Sequence, residues 1–190
     1  ILLKYVPFIC TFYMFHHSIA DLKDIPEIEV LMETSISNLL GKLLNEKQLE
    51  AAKESMGLDT QLLKDKTYFL IKNDDELIGS GGYSYRKTLF GGNHTPNRSD
   101  DLLVPGKDAA KIRAMYTDPS WIRKGVGTYV LNLAENSIRE LGFHKAELMA
   151  TVSGIFLYEK RGYKVVDEIE YESKLGNKVP MYKMEKAIHG

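Results

Sequence analysis

The segment at residues 112–128, IRAMYTDPSWIRKGVGT, constrains the fold more than any other part of the chain. Its pattern is that of a strand, a short approach segment and a glycine turn that opens a helix. Backbone N–H groups in the first turn of a helix have no acceptor within the helix, and they therefore bind anions such as pyrophosphate. The sequence thus predicts an anion-binding site at residues 124–128.

The side chains around this turn favour the same interpretation. Arg123 and Lys124 bring positive charge to the helix start, and Thr128 adds a hydroxyl. Gly125 and Gly127 let the backbone bend closely around an anion. An ordinary tight turn at the start of a helix is the alternative interpretation.

Three common glycine motifs do not fit this segment. A dinucleotide-binding fingerprint follows its strand directly and needs a third glycine where Val130 stands. A P-loop ends in Gly-Lys followed by Ser or Thr, and no such sequence occurs here. A kinase glycine loop lies between two strands, whereas this turn precedes a helix.

Hydrophobic period and turn residues predict the other elements. Asn45 and Gln48 have the spacing of a capping box, and Gly79, Gly81 and Gly82 inside a strand indicate a bulge, a close approach of backbone or ligand, or a mobile edge. In chain order the predicted elements are helices at 21–44 and 45–57, strands at 66–72, 76–86 and 110–117, a helix at 125–141, a strand at 145–151, a helix at 154–161 and two strands within 164–186. A long polar loop at 90–107 is expected to be disordered or functional. Because hairpins require antiparallel pairs, this order predicts a single α/β domain with a mixed, largely antiparallel sheet flanked by helices.

Composition excludes several classes of function. The chain has 190 residues, of which 44% are hydrophobic, and a formal net charge of −1. It can bury one core, and it has no electrostatic basis for binding nucleic acid. The single cysteine, Cys10, cannot form an intrachain disulfide, so a reducing, cytoplasmic setting is expected. The His and Cys residues show no metal-ligand spacing, and no metal site is predicted.

The first fifteen residues are mostly apolar, but they are too short for a membrane-spanning helix, so no membrane partner is expected. They also fit the apolar part of a signal sequence, although no small-residue cleavage site follows. We expect residues 1–17 to form an edge strand or an apolar extension, and residues 18–190 to form the domain. A further alternative is a structural or interaction domain that forms a homodimer through this apolar N-terminal segment.

Three motifs, in this order, resemble the GNAT superfamily of acyl-CoA-dependent N-acyltransferases. They are a strand that runs from Met115 into Asp118 and Pro119, the turn KGVG at 124–127 with its helix, and the sequence YEKRGY at 158–163. The motifs cover residues 110–163, and the order of elements fits the superfamily from about residue 18 onward. Two positions depart from the usual pattern, because Ile122 stands where Gln or Arg is usual and Thr151 stands where Asn is frequent.

The resemblance implies a GNAT-like fold that holds acetyl-CoA in a V-shaped gap between the strand at 110–117 and the strand at 145–151. It implies that the backbone of Met115 and Thr117 pairs with the pantetheine arm and that the glycine turn binds the pyrophosphate. Tyr158 stands where the superfamily often keeps its general acid. The cofactor-binding residues expected on this basis are Met115, Tyr116, Thr117, Arg123, Lys124, Gly125, Val126, Gly127 and Thr128.

The expected activity is N-acetyl transfer from acetyl-CoA to a small-molecule or protein primary amine by direct attack. Glu33 and Glu147 are candidate general bases, and a water chain or a desolvated pocket is the alternative way to obtain a neutral amine. A backbone N–H freed by a bulge near Met115 would stabilise the oxyanion, and Tyr158 would protonate the departing thiolate. The alternative function is a non-catalytic acyl-CoA-binding module or sensor.

Overall fold

A mixed sheet of seven strands runs through the part of the chain that the computed structural model describes, residues 14–96 and 98–189. Its spatial order is β1-β2-β3-β4-β5-β7-β6, where β4 and β5 are parallel and the other neighbours are antiparallel. The strands are β1 (His16–Ile19), β2 (Tyr68–Asn73), β3 (Glu76–Ser84), β4 (Ala110–Thr117), β5 (Lys145–Ala150), β6 (Lys164–Glu172) and β7 (Lys178–Ala187). The predicted mixed, largely antiparallel α/β sheet is confirmed.

Helices cover both faces of the sheet. They are α1 (Ile25–Ser35), α2 (Glu46–Ser55), α3 (Thr60–Lys64), α4 (Val126–Glu140) and α5 (Ile155–Lys160). The helix α4 packs on β3 and β4 and forms one hydrophobic core with them, whereas α1 and α2 belong to a second core on the opposite face. Among the described residues, no helix is long and apolar enough to cross a membrane.

The first predicted helix is divided into three segments. A short 3-10 turn at Leu22–Asp24 leads into α1, and a π-helical turn at Ile36–Leu40 follows it. The wider turn keeps both Ile36 and Leu40 buried in the second core. Hydrophobic spacing alone does not distinguish such a π-helical turn from a continuous α-helix. The short helix α3, which begins soon after α2 ends, is not predicted by the sequence pattern.

The predicted capping box opens α2. The Gln48 N–H donates to Asn45 Oδ1 at 2.9 Å, and the Asn45 N–H donates to Gln48 Oε1 at 3.1 Å. These two bonds satisfy donors that would otherwise lack a partner at the helix start. The helix ends at Ser55, slightly before the predicted stop at Gly57.

The N-terminal strand β1 lies at one edge of the sheet, antiparallel to β2, and it crosses the predicted boundary between residues 17 and 18. Residues 1–13, which include Cys10 and most of the predicted apolar extension, lie outside the described residues. Phe15 packs edge-on against Trp121 and Tyr129, with ring centroids 6.3 and 5.7 Å apart. The chain before β1 therefore reaches the segment that leads into the glycine turn.

Candidate active site

The two central parallel strands separate soon after they meet. Their pairing comprises Ala110 with Ala146 and Lys111 with Glu147, and the rest of β4 then diverges from β5. A cavity of about 400 Å³ is lined by the later residues of β4, by Met149 and by Thr151. Its walls also include elements from both faces of the sheet, so the cavity passes through the gap between the strands. The predicted V-shaped gap is thus present.

A bulge in β4 lies on the wall of this gap. Between the pairs of Ser80 with Tyr116 and Gly82 with Arg113, β4 has two residues where β3 has only Gly81. The two residues are Ala114, which has a φ of +50°, and Met115, so β4 carries one extra residue at this point. A Cβ on Gly81 would lie 3.1 Å from the Met115 Cα, and Gly81 has a φ of +154°, so the bulge favours glycine opposite it. The predicted bulge near Met115 is present.

A buried tyrosine holds this bulge in place. The Tyr68 hydroxyl donates to the Ala114 carbonyl at 2.9 Å and lies 2.9 Å from the Ser80 hydroxyl. Burial raises the pKa of Tyr68 well above its usual range, so the phenol remains a hydrogen-bond donor. Tyr68 was not singled out in the sequence, because its partner lies in a strand distant along the chain.

The glycine turn opens α4 as predicted. Gly125 has a φ of +93°, and the first helical bond runs from the Tyr129 N–H to the Gly125 carbonyl. The N–H groups of Val126, Gly127 and Thr128 therefore have no acceptor within the helix, and all three residues line the cavity. A Cβ on Gly79 would lie 2.4 Å from Val126 Cγ1, so glycine in β3 lets the helix start come this close to the sheet.

The charged residues before the turn take different positions. Arg123 has a φ of +63° and lines the cavity, and its guanidinium lies 5.3 Å from the centroid of the Phe156 ring. Lys124 does not line the cavity, and its ammonium lies 4.6 Å from the centroid of the Trp121 ring. Arg123 thus brings positive charge to the cavity wall one position after Ile122, which stands where Gln or Arg is usual.

Tyr158 lies on the wall of the same cavity. It belongs to α5 and is only 8% exposed. Burial, together with the nearby Tyr116, raises the pKa of Tyr158 above its usual value. A Cβ on Gly154 would lie 3.0 Å from the Tyr158 ring, so glycine at the start of α5 leaves room for the ring. The phenol therefore stays protonated at neutral pH.

The glutamates proposed as bases lie outside the residues that line the cavity. Glu33 is exposed on α1, where hydrogen bonds from Lys53 and Ser37 lower its pKa. Glu147 is buried between Lys111 and Lys183. Burial raises the pKa of Glu147, but the hydrogen bonds from these two lysines outweigh it and lower the pKa overall. Both carboxylates are therefore paired and weakly basic, and their positions do not support the role of base.

A side of the cavity that the sequence did not reveal lies beneath α1 and α2. It is mostly apolar, with Ser35 and Ser55 also among its lining residues, and we call it the helix end of the cavity. Its lining residues include Ile36, Leu39, Met56, Leu89, Phe90 and Met181. Phe90 packs edge-on against Tyr171 of β6, with ring centroids 6.3 Å apart. The long loop after β3 thus forms part of the wall.

A buried ion-pair cluster fixes this loop. Asp59 accepts from Arg98 at 2.7 Å and from Arg113 at 2.8 Å. Arg113 also donates to the carbonyl oxygens of Thr88 and Gly91, each at 2.8 Å. The cluster joins the N-terminus of α3, the middle of β4 and the loop, so this part of the predicted loop is held by charged contacts rather than left free.

The sequence and the fold both match known acetyltransferases. The model of the acetyltransferase (GNAT) family matches residues 36–163. A GCN5-related N-acetyltransferase from Rhodopseudomonas palustris superposes with a TM-score of 0.65 at 15% identity, covering 93% of this chain and 96% of that one. The PaiA N-acetyltransferase from Thermoplasma acidophilum, solved in complex with coenzyme A, superposes with a TM-score of 0.63 at 16% identity, covering 92% of this chain and 99% of that one.

The ribosomal-protein-S18-alanine N-acetyltransferase from Escherichia coli superposes with a TM-score of 0.58 at 14% identity, covering 93% of this chain and 96% of that one. No curated protein matches the sequence significantly. At these identities the structural matches show the shared fold, and the family model shows the sequence relationship over more than half of the chain. The chain belongs to the GNAT acetyltransferase family.

Proposed function

We propose that this protein is an acetyl-CoA-dependent N-acetyltransferase that modifies a primary amine by direct attack. The observation that supports this most strongly is that the glycine turn, the β4 bulge and Tyr158 all line one cavity. Each of the three would provide a different part of acyl transfer, namely binding of the pyrophosphate, stabilisation of the oxyanion and protonation of the thiolate. The acceptor that we propose is a small-molecule amine.

The residues of the turn fit a coenzyme A pyrophosphate. The N–H groups of Val126, Gly127 and Thr128 lie at the positive end of the α4 dipole, where they would bind two phosphates. A Cβ on Gly127 would lie 2.9 Å from Leu157 Cδ2, so glycine lets the start of α4 lie directly against the Leu157 side chain of α5. Arg123 would add charge, and the backbone of β4 at Met115, Tyr116 and Thr117 would pair with the pantetheine arm. Bound there, acetyl-CoA supplies the activated acetyl thioester.

The amine must lose its proton before or during attack. An ordinary alkyl amine of pKa about 10.4 is neutral in only about one molecule in 2,500 at pH 7. Among the described residues that line the cavity there is no Asp or Glu, so we propose that no carboxylate acts directly as base. Instead, the apolar helix end would lower the pKa of the amine by desolvation, and water would carry the proton away.

Two groups then act on the reacting thioester. A backbone N–H of the bulge near Met115 would donate to the carbonyl oxygen as negative charge develops on it. Tyr158 would donate its proton to the departing thiolate, since burial keeps the phenol protonated. The amine nitrogen would bond to the carbonyl carbon first, and the carbon–sulfur bond would then break as the carbonyl re-forms. The amide and free coenzyme A would leave as products, and Tyr158 would regain its proton from water, which carries the proton released by the amine.

Two measurements test this proposal. Titration calorimetry with acetyl-CoA should detect binding, and a thiol reagent should detect free coenzyme A when an amine is added. Tyr158→Phe should lower turnover by about 100-fold or more while cofactor affinity stays nearly constant. A protein that binds acetyl-CoA but releases no thiol with any amine would instead be the non-catalytic sensor.

A further inference from the structure

The chemistry of the helix end limits which amine can enter it. The side chains of Ile36, Leu39, Met56, Leu89, Phe90 and Met181 line this end, and all are apolar. Leu39 approaches it from the π-helical turn after α1 and Met56 from the residue after α2. Leu89 and Phe90 come from the loop and Met181 from β7, so apolar groups face it from several segments. Burial of an apolar substrate body here would be favourable by the hydrophobic effect.

The charged groups near this end are already paired. Arg113 lines the cavity, but its guanidinium is bound to the Asp59 carboxylate and to the carbonyl oxygens of Thr88 and Gly91. A substrate carboxylate would have to compete with Asp59, which is only 2% exposed. An amino acid acceptor would therefore bring a negative charge that meets no ready partner at the helix end.

A second positive charge on the substrate would not be stabilised in this cavity either. The charged residues among the described lining are Arg113, Arg123 and Lys160, all of which are basic. A polyamine would carry a further ammonium into a cavity whose described lining residues include no Asp or Glu. The desolvation of this ammonium would be uncompensated, because no lining carboxylate among the described residues could pair with it.

From these observations we propose that the acceptor is a small primary amine with an apolar aromatic or aliphatic body and no second charged group. This inference rests on the proposed function, because it names the substrate class of the same cavity. Methionine side chains adapt to different shapes, so Met56 and Met181 favour several apolar bodies over one exact fit. The entire apolar body would lie at the helix end, with the amine directed toward the bulge.

A panel of three primary amines tests the inference on the unmodified protein. Phenethylamine has an apolar body, spermidine carries several positive charges, and glutamate carries carboxylates. With acetyl-CoA present and free thiol followed, kcat/KM for phenethylamine should exceed that for each of the others by about tenfold or more. A value for spermidine or glutamate equal to or above that for phenethylamine overturns the inference and leaves the acetyltransferase proposal standing.

A matched pair of variants tests the role of charge directly. Leu39 is partly exposed and lines the cavity, so Leu39→Asp adds a carboxylate there and Leu39→Asn adds a group of the same shape without charge. The ratio of kcat/KM for spermidine to that for phenethylamine should be about tenfold higher in the Asp variant than in the Asn variant. Equal ratios in two folded variants overturn the inference.

Failure of the broader proposal has a different signature. If calorimetry detects no binding of acetyl-CoA and no amine in the panel releases thiol, the proposed function itself is overturned, and the substrate inference falls with it. Binding of acetyl-CoA together with selective turnover of phenethylamine supports both.

Discussion

The Arg113 guanidinium donates to the Asp59 carboxylate at 2.8 Å, and the two side chains are only 2% and 1% exposed. The same carboxylate accepts from Arg98, so one acid compensates two guanidinium groups. Its removal would leave Arg113 buried without its counter-charge, which is far more costly than loss of an exposed pair. This cluster fixes the loop that forms one wall of the helix end.

Asp59→Ala should destabilise the protein by about 3 to 5 kcal/mol. The midpoint of thermal unfolding should fall by about 10 °C, measured by circular dichroism. Asp101→Ala is the matched control, because Asp101 pairs with Lys87 on the surface, with side chains 67% and 56% exposed. The control should unfold at nearly the parent temperature. Equal midpoints for the two variants would show that the buried cluster does not stabilise the fold.

Gly127→Ala should weaken acetyl-CoA binding by about tenfold without unfolding the protein. The new Cβ would lie 2.9 Å from Leu157 Cδ2, and the end of that side chain can move aside, so the helix itself tolerates alanine. The displaced Leu157 also lines the cavity. Titration calorimetry measures the affinity, and the unfolding midpoint shows that the fold is retained.

The double variant Gly127→Ala with Leu157→Ala completes this test. The second substitution removes the Leu157 methyl group that the new Cβ at position 127 would contact. The affinity for acetyl-CoA should therefore recover relative to Gly127→Ala, once the effect of Leu157→Ala alone is subtracted. If the two substitutions are simply additive, contact with Leu157 is not the reason for the loss.

The pH dependence of turnover should report on Tyr158. Burial raises the pKa of this phenol above its ordinary value of about 10, so the acid form persists through pH 9. With an alkyl amine, kcat/KM should rise from pH 7 to pH 9 as the amine loses its proton, and no descending limb should occur below about pH 10. Thiol release corrected for uncatalysed thioester hydrolysis measures this profile. A decline between pH 8 and 9 in a folded protein argues against Tyr158 as the acid.

Glu147 should contribute to stability at neutral pH and lose that contribution in acid. Its folded pKa is lowered overall because Lys111 and Lys183 outweigh burial, so the contribution is complete above the unfolded value of about 4.3 and is lost as the pH falls through the folded pKa. Glu147→Gln should lower the unfolding midpoint at pH 7 by about 5 °C or more.

The difference between Glu147→Gln and the parent should shrink as the pH falls from about 4.3 through the lowered folded pKa, because the parent carboxylate becomes protonated over that range. Glu29→Gln, at an exposed position on α1, is the control and should follow the parent at every pH. Parallel curves for Glu147→Gln and the parent from pH 7 to pH 3 would contradict the assignment.

Several features of the site follow from the sequence because they depend on neighbours along the chain. The strand at 110–117 was predicted with the bounds that it has, and the capping box at Asn45 and the glycine turn at Gly125 were placed correctly. Hydrophobic period, capping and positive φ at glycine are properties of short segments, so short segments of sequence are sufficient to reveal them.

Contacts between distant segments were decided by the tertiary structure alone. Asp59 and Arg113 are 54 residues apart, and no local pattern indicates that they meet. The period of two residues in a strand puts Glu147 and Thr151 on the same face. The lysines of β4 and β7 that form ion pairs with the Glu147 carboxylate are revealed only when the strands pair. The sequence by itself therefore determined the family, the turn and the acid candidate. Packing across the sheet decided the apolar helix end and the pairing of the carboxylates, because both depend on which side chains the folded chain brings together.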